Sequence, residues 1–475
     1  VSFEVKFVFR CETMTTGTRR QCVAAATALL SVLSSATCFG WVTPILVDLL
    51  GPDSEVPMTE IESSWMISLI EIGNLLSPIL AGYLADRWGR KPCILATGPL
   101  YILSWVIVFR TSTVEALYVV RIMQGAIMGC VLTVVPIYLA EIASPSIRGS
   151  IMCSSYIAWF FGYLFEYSVG PFVPYRTFTA ITAIWPVLLT LLFPWQPESP
   201  YYLVMRKRNV EAKKSLSVLR RLPVTSEEVL KEFGEIATTL KNKEETSWND
   251  LIKSRSNRRN LCVVFFVGFV AMLSGGYALM SYSSHIFTST DITFVHPDLI
   301  TIFLGGFLLI TSIFSSVFVD RLGRRPLLLI SSTGCTVSLL SSTAYFLFNF
   351  DSSQHGWMLV LSMLSYFIFW SFGLVPVYFT YQSELFSSTS RGVASSIIAF
   401  VITIYAFINL KFYFPITENL GFSTLFGFYS VVCLTGMIGI YLIAPETKGK
   451  SLLEIQNGPG KPEIKQREDV TNNVL

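Results

Sequence analysis

The sequence predicts an all-α polytopic membrane protein with twelve transmembrane helices in two pseudo-symmetric six-helix bundles. Three observations support this fold class: the composition, the length of the apolar blocks, and motifs that recur in both halves. Of the 475 residues, 52% are hydrophobic and 14% are charged, whereas a soluble chain carries about 25% charged residues. The mean hydropathy of +0.56 is that of a chain whose solvent is mostly lipid.

Twelve apolar blocks have a length suited to crossing a membrane. A hydrocarbon core of about 30 Å needs about 20 apolar residues per helix. A helical soluble protein is excluded, because twelve such blocks could not all be buried in one chain of this length. The predicted spans are 22–47, 63–85, 93–109, 114–140, 150–170, 177–194, 261–288, 299–319, 327–349, 357–384, 392–416 and 422–444.

The basic residues predict the orientation, because Lys and Arg concentrate in cytoplasmic loops. With the amino terminus inside, all but four of the 35 Lys and Arg residues fall on the inner side; the exceptions are Arg110, Arg121, Arg176 and Lys411. Both termini are therefore expected in the cytoplasm, with the plasma membrane as the default location. The expected regions are a tail 1–21, a bundle 22–194, a cytoplasmic loop 195–260, a bundle 261–444 and a tail 445–475.

The loop 195–260 is the one long stretch expected to fold in water. Its apolar residues keep helical spacing at Val229, Phe233, Ile236 and Leu240. Ser226 is a plausible N-cap for this helix, and Ser247 for another. The loop is basic, but its acidic residues are interleaved, so nucleic acid is not an expected partner.

No cofactor or metal is expected. The nine cysteines are scattered without a C-x-x-C pair, and the three histidines lack metal-ligand spacing. The sequence contains no nucleophile elbow or phosphate loop, so an enzyme is not predicted. Met14 precedes a polar, basic stretch and resembles a start residue, which leaves open whether residues 1–13 belong to the natural protein.

Three motif pairs indicate an internal repeat. A D-R-x-G-R-[KR]-P motif follows the second and eighth spans. A Glu seven residues before an Arg-Gly follows the fourth and tenth. A Pro-Glu pair follows the sixth and twelfth. The offsets between copies are 234, 243 and 248 residues. Parallel repeats of six helices are typical of the major facilitator fold, which places its substrate site between the halves near the midplane.

The repeated motifs are predicted to form a cytoplasmic gate. Gly permits a tight turn, and the Asp is expected at the start of a neighbouring helix, where the helix dipole favours an anion. The Glu and Arg would share one helix face if the chain were helical throughout, and clusters from the two halves would lock by ion pairs. The predicted gate residues are Asp86, Arg87, Gly89, Arg90, Glu141, Arg148, Glu198, Asp320, Arg321, Gly323, Arg324, Glu384, Arg391 and Glu446.

These motifs resemble the sugar porter family of the major facilitator superfamily from Gly40 to Ile455. Further matching motifs are Arg121-x-x-Gln124-Gly125, Pro136-x-Tyr138-x-x-Glu141 and Pro445-Glu446-Thr447-Lys448. The stretch Gly40-Trp41-Val42-Thr43-Pro44 is most similar to the insect facilitated trehalose transporter branch. The resemblance implies alternating access and transport of a hexose or a disaccharide.

The substrate-facing positions depart from the family pattern. Sugar porters read Q-Q-x-S-G-x-N in the seventh span, whereas this chain reads A-M-L-S-G-G-Y from Ala271 to Tyr277. A fifth-span glutamine is replaced by Tyr156. Either tyrosine and threonine hydroxyls replace the missing amides and form a different polyol site, or the cavity is aromatic and its substrate is less polar than a sugar. The candidate substrate residues are Thr43, Tyr156, Met272, Tyr277, Phe379 and Thr403.

Two of the charged residues inside predicted spans are candidates for a function, because ionisable residues are costly in the membrane and are usually functional there. They are Glu71 and Arg121, and we expect them to form an ion pair; the alternative is that Arg121 pairs elsewhere, for example with Glu166. Proton-coupled relatives carry a first-span Asp near the position of Val42. Its absence favours facilitated diffusion.

The sequence thus predicts a facilitative carrier of a sugar or related polyol in a lipid bilayer. The alternative is a carrier of another small organic solute on the same scaffold. A nutrient sensor that binds without transporting is a third hypothesis, against which the short tail after residue 445 counts.

Overall fold

The computed structural model describes residues 16–52, 54–241, 255–290, 292, 295–386 and 391–448. Eleven helices in this part of the chain are long and apolar enough to cross a membrane. A further helix of 22 residues, Arg148–Val169, is richer in Ser and Tyr and carries Glu166. With it, the structure has the twelve spans of the predicted fold class.

The first six spans follow one another with short connections. Span 1 is Thr16–Gly40 continued by Val42–Leu50, span 2 Glu60–Trp88, span 3 Arg90–Arg110, span 4 Val114–Ile142, span 5 Arg148–Val169, and span 6 Tyr175–Thr182 continued by Ile184–Leu192.

The second six spans repeat the arrangement. Span 7 is Arg255–Leu273 continued by Gly276–Ser281 and Ser283–Ser289, span 8 Pro297–Leu322, span 9 Arg324–Leu347, span 10 Ser352–Phe369 continued by Trp370–Leu374 and Val375–Glu384, span 11 Arg391–Lys411, and span 12 Tyr413–Ile443.

Several spans are interrupted where the halves meet. Span 1 is interrupted at Trp41, and span 7 breaks at Gly275 and again at Tyr282. Span 10 contains a π-helical turn over Trp370–Leu374. Such breaks release main-chain carbonyls and amides within the bilayer, and other groups of the protein must then satisfy them.

Three helices join the halves: Pro200–Met205, Asn209–Arg220 and Glu227–Lys241. Val229 and Ile236 of the last helix are buried against Leu216, and the Ser226 hydroxyl accepts from the N–H of Val229. The candidate cap at Ser247 lies outside the described residues.

These joining helices are attached to the first half. The Arg220 guanidinium donates to the carbonyl of Ile142 at the end of span 4, and also binds Glu232. Gln21 of span 1 donates to the carbonyl of Leu219. The two halves themselves pack mainly through span 2 against span 11 and span 5 against span 8.

Candidate functional site: two repeated motif clusters and a central seam

The motif cluster of the first half is centred on Arg90. Its Nε lies 3.0 Å from a Glu141 oxygen and its Nη2 lies 3.1 Å from the other, a two-pronged ion pair. Its Nη1 lies 3.1 Å from Asp86, four residues earlier. The Glu198 carboxylate accepts from the main-chain N–H groups of Arg90 and Lys91 at the start of span 3. An anion at a helix start is favoured by the helix dipole.

The second half repeats this cluster with different residues. The Arg324 Nη2 lies 2.7 Å from Glu384. The Glu446 carboxylate accepts from the N–H groups of Arg324 and Arg325 at the start of span 9. The repeat extends to two tyrosines: Tyr138 and Tyr381 donate to the carbonyls of Pro197 and Pro445. We call the end of the bundle that holds both clusters the motif face.

Gly89 and Gly323 are required by this geometry. Each separates two consecutive spans, with φ of +112° and +92° respectively. A Cβ on Gly89 would lie 2.2 Å from a Glu198 oxygen, and one on Gly323 would lie 2.9 Å from a Glu446 oxygen. The glycines therefore let each carboxylate approach the helix start directly.

Two details of the predicted gate were wrong. The helix start is occupied by Glu198, not by Asp86, because Asp86 lies at the end of its own helix and pairs with Arg90 there. Glu141 and Arg148 do not share a helix face, because the helix ends at Ile142 and the next begins at Arg148. Arg148 instead donates to the carbonyl of Ala143.

The ion pairs of the motif face that the described residues form stay within one half. Arg87 binds the Tyr83 hydroxyl of its own helix, and the carbonyl of Arg321 accepts from Lys448. The predicted lock of ion pairs between halves is thus not formed by this part of the chain. The side chains of Asp320 and Arg391 lie outside the described residues.

The equivalent carboxyl groups of the two clusters differ in pKa. Burial raises the pKa of Glu198 above its ordinary value, although main-chain N–H groups and Arg90 oppose this shift. Burial also acts on Glu446, but four main-chain N–H bonds outweigh it and lower its pKa. The carboxylate form is therefore better stabilised in the second cluster.

Polar and aromatic contacts join the halves along a central seam. The Asn74 amide of span 2 donates to the Thr403 hydroxyl of span 11 at 3.3 Å. The rings of Tyr156 in span 5 and Phe379 in span 10 have centroids 5.3 Å apart. Three predicted substrate residues therefore lie on this seam.

A fourth, Tyr277, belongs to a cluster of five rings that crosses the seam. Its ring lies 5.7 Å from Phe39 and 5.8 Å from Trp370. On the first-half side, Trp159 and Tyr163 lie 6.3 Å from Phe39. We call these five residues the central aromatic cluster.

Only Tyr277 of this cluster was predicted from the sequence. The Trp370 indole is held in place by a bond of 3.0 Å to the carbonyl of Ala271, and it begins the π-helical turn of span 10. A π-helical turn inside an α-helix often marks a functional site. The sequence signal for Trp159, Tyr163 and Trp370 was the unusual number of aromatic residues in spans 5 and 10, a signal that does not extend to Phe39 in span 1.

The other two candidate substrate residues have structural partners. The carbonyl of Met272 accepts from the Asn409 amide at 2.6 Å. The Thr43 hydroxyl donates to the carbonyl of Met280, which the break in span 7 leaves free and which also accepts from Tyr167. Thr43 and Tyr167 thus tie span 7 to the first half.

The prediction that Glu71 and Arg121 form an ion pair was wrong. Arg121 donates to the carbonyl of Cys38 at 2.6 Å and to Gln124 at 3.1 Å, and its guanidinium lies 5.3 Å from the Trp41 ring centroid. The break in span 1 provides this carbonyl, so a helix end replaces a carboxylate as partner of the cation. Glu71 accepts from Asn74 at 3.2 Å.

The alternative pairing with Glu166 is not formed either. Glu166 is fully buried and accepts from the Thr182 hydroxyl at 3.0 Å. No nitrogen of Arg121 lies within 4.0 Å of this carboxylate. The first half thus holds three buried charged residues that do not pair with one another.

The sequence matches the Sugar (and other) transporter family over residues 6–458. The chain belongs to this family. Its relatives include a facilitated trehalose transporter, Tret1, of Polypedilum vanderplanki, with 29% identity over 92% of this chain and 87% of the relative. A probable metabolite transport protein of Bacillus subtilis, CsbC, is 27% identical over 90% and 92% of the two chains.

Solved structures of a xylose transporter share the fold. The xylose transporter XylE of E. coli, in a partially occluded inward-open conformation, superposes with a TM-score of 0.76 at 20% identity, covering 91% of this chain and 100% of XylE. XylE bound to 6-bromo-6-deoxy-D-glucose gives 0.72 at 21% identity, covering 92% and 98%. The protein is therefore a multi-pass membrane transporter with the major facilitator fold, as its motifs predicted.

Proposed function

We propose that the protein carries a sugar, a hexose or a trehalose-like disaccharide, down its concentration gradient by alternating access. The observation that carries this proposal is the seam, where Asn74 and Thr403 meet between the halves beside the central aromatic cluster. Amide and hydroxyl groups can bond sugar hydroxyls, and aromatic rings provide apolar faces against which the carbon skeleton packs. A pocket of this mixed character is typical of small-molecule sites.

The self-contained motif clusters support the same mechanism. Because Arg90 and Arg324 pair with carboxylates of their own half, the bodies 22–194 and 261–444 can rock without breaking either pair. The contacts that change are the weaker polar and aromatic ones of the seam. This division of contacts is what alternating access between two rigid bundles requires.

Transport by reconstituted protein tests the proposal. Proteoliposomes are loaded with labelled trehalose, glucose or an unrelated solute, with and without a proton gradient. We expect saturable sugar flux that stops when the sugar concentrations on the two sides are equal, whether or not the proton gradient is present. Flux of the unrelated solute without sugar flux would refute a sugar as the substrate. Accumulation of sugar driven by the proton gradient would refute facilitated diffusion.

We also propose that the motif face is cytoplasmic and that the protein resides in the plasma membrane. The concentration of Lys and Arg on this side supports the cytoplasmic assignment, and the plasma membrane is the default location for such a carrier. Single cysteines introduced at the exposed positions Val210 and Arg110 provide a test in intact cells. An impermeant thiol reagent should label position 110 but not position 210, and the reverse pattern would invert the orientation.

A further inference from the structure

Glu71 lies deep in the bundle, at the seam. It is the twelfth residue of span 2, which places it about 16 Å along a helix that rises about 1.5 Å per residue. This is close to the middle of a hydrocarbon core of about 30 Å. Its side chain is 5% exposed. Its partner Asn74 also bonds Thr403 of the second half, so the carboxyl group belongs to the interface that alternating access opens.

The Glu71 carboxylate has no protein cation as a partner. Among the described residues, no Lys, Arg or His nitrogen lies within 4.0 Å of it. Arg121 is engaged by Cys38 and Gln124 instead. A buried carboxylate without a counter-charge is costly and is retained where it has a function.

The groups around Glu71 are suited to a cation. Glu71 reaches the seam through Asn74 and Thr403, and the central aromatic cluster crosses the same seam where Tyr277 meets Phe39. Within the part of the chain that the structure describes, the buried Tyr163 hydroxyl has no hydrogen-bond partner. Aromatic faces attract organic ammonium groups, and a carboxylate forms strong charge-assisted hydrogen bonds with them. The unpaired tyrosine hydroxyl remains available for a sugar hydroxyl.

We propose that Glu71 is a specificity residue that selects a sugar bearing a protonated amino group. This inference rests on the proposed sugar transport and narrows its substrate class. The ammonium group would neutralise the Glu71 carboxylate while Tyr277 and Trp370 pack against the sugar ring. A neutral sugar leaves the carboxylate without a counter-charge and is carried less well.

Competing substrates in proteoliposomes test this inference. Uptake of glucosamine is compared with that of glucose and N-acetylglucosamine near neutral pH, where the amine is largely protonated and the carboxyl group is not forced into its neutral form by acid. A charge-assisted hydrogen bond should give glucosamine an advantage of roughly tenfold in kcat/KM. Glu71→Gln should bring the ratio of glucosamine to glucose uptake close to one, and Glu71→Asp should keep part of the preference.

Glu166→Gln is the matched control, since Glu166 is also a buried carboxyl group of the first half but bonds Thr182. It should leave the ratio unchanged. Because each result is a ratio, lower yield of a variant does not imitate the effect. Glucose flux without a preference for glucosamine would overturn the inference and leave proposed sugar transport standing. Glucose flux accompanied by proton uptake that Glu71→Gln abolishes would also overturn the inference, because Glu71 would then carry a proton and not select an amino group. Absence of all sugar flux would overturn both.

Discussion

The Lys411 ammonium group lies 4.3 Å from the centroid of the Trp65 ring and 2.6 Å from the Ser64 hydroxyl. Lys411 ends span 11, whereas Ser64 and Trp65 lie in the first turns of span 2. The contact therefore joins the two halves at the end of the bundle opposite the motif face. Trp65 also packs on Phe407 of span 11, with ring centroids 6.3 Å apart.

We predict that Lys411→Met opens this face. The variant keeps an unbranched apolar chain but loses the cation, which costs about 1 kcal/mol for a cation–π contact. Such a change shifts the ratio of closed to open states about fivefold. Distances between spin labels on spans 2 and 11 measure the shift. Arg110→Met, which removes an exposed cation from the same face, is the control, and an unaltered distance distribution for Lys411→Met would refute the contact's role.

The glycines of the motif face should tolerate alanine poorly. Gly89 and Gly323 have backbone angles that almost only glycine adopts without strain. Another residue with these angles is destabilised by about 1–3 kcal/mol. Gly89→Ala should be the more damaging, because its Cβ would lie 2.2 Å from Glu198 against 2.9 Å for Gly323 and Glu446. Melting temperatures in detergent measure this order.

Gly82→Ala is the control for these substitutions. Gly82 lies in span 2, which ends just before Gly89, and a Cβ there would meet nothing within 4 Å. Alanine at this helical position should leave the melting temperature unchanged or raise it. Equal stability of Gly82→Ala and Gly89→Ala would show that the turn at Gly89 is not constrained.

The two repeated carboxylates should respond differently to pH. The folded-state pKa of Glu446 is lowered, so its contribution to stability is present above the ordinary glutamate pKa and is lost as pH falls through the folded value. The pKa of Glu198 is raised, so the folded state takes up this proton first on acidification. Glu446→Gln should therefore lower stability at neutral pH more than Glu198→Gln does.

Stability of both variants measured from neutral to acid pH tests this difference. The gap between Glu446→Gln and the unaltered protein should close as the pH falls, because Glu446 then becomes protonated in both states. A larger loss from Glu198→Gln at neutral pH would contradict the assignment.

Glu71 and Arg121 should behave as independent residues. Their side chains share no partner, so a double-mutant cycle of Glu71→Gln and Arg121→Gln should give a coupling energy within about 0.5 kcal/mol of zero. The exchanged variant, Glu71→Arg with Arg121→Glu, should recover nothing. The same cycle on Arg90 and Glu141, which do pair, is the positive control. A coupling of several kcal/mol between Glu71 and Arg121 would show that they meet in another state of the transporter.

The spans and the repeat were accessible from the sequence because both are local properties. The hydrocarbon thickness sets the length of an apolar block wherever it occurs. Arg148–Val169 was also predicted, although it is more polar than the other spans, since its length and its place in the repeat compensate for its composition. The interruption at Trp41 and the π-helical turn at Trp370 were not predicted, because contacts with neighbouring spans stabilise them.

The choice of partner for each charge depended on tertiary structure. The repeated motifs assign Asp86, Glu141 and Glu198 to the same predicted gate as Arg90. Only the folded chain shows that Glu198 binds the main-chain N–H groups at the helix start and that Glu141 binds the guanidinium. The sequence likewise placed Glu71 and Arg121 within the bilayer. It did not determine that a carbonyl of the interrupted first span would bind Arg121 and leave Glu71 at the seam, because that carbonyl becomes available only where the regular helix is interrupted.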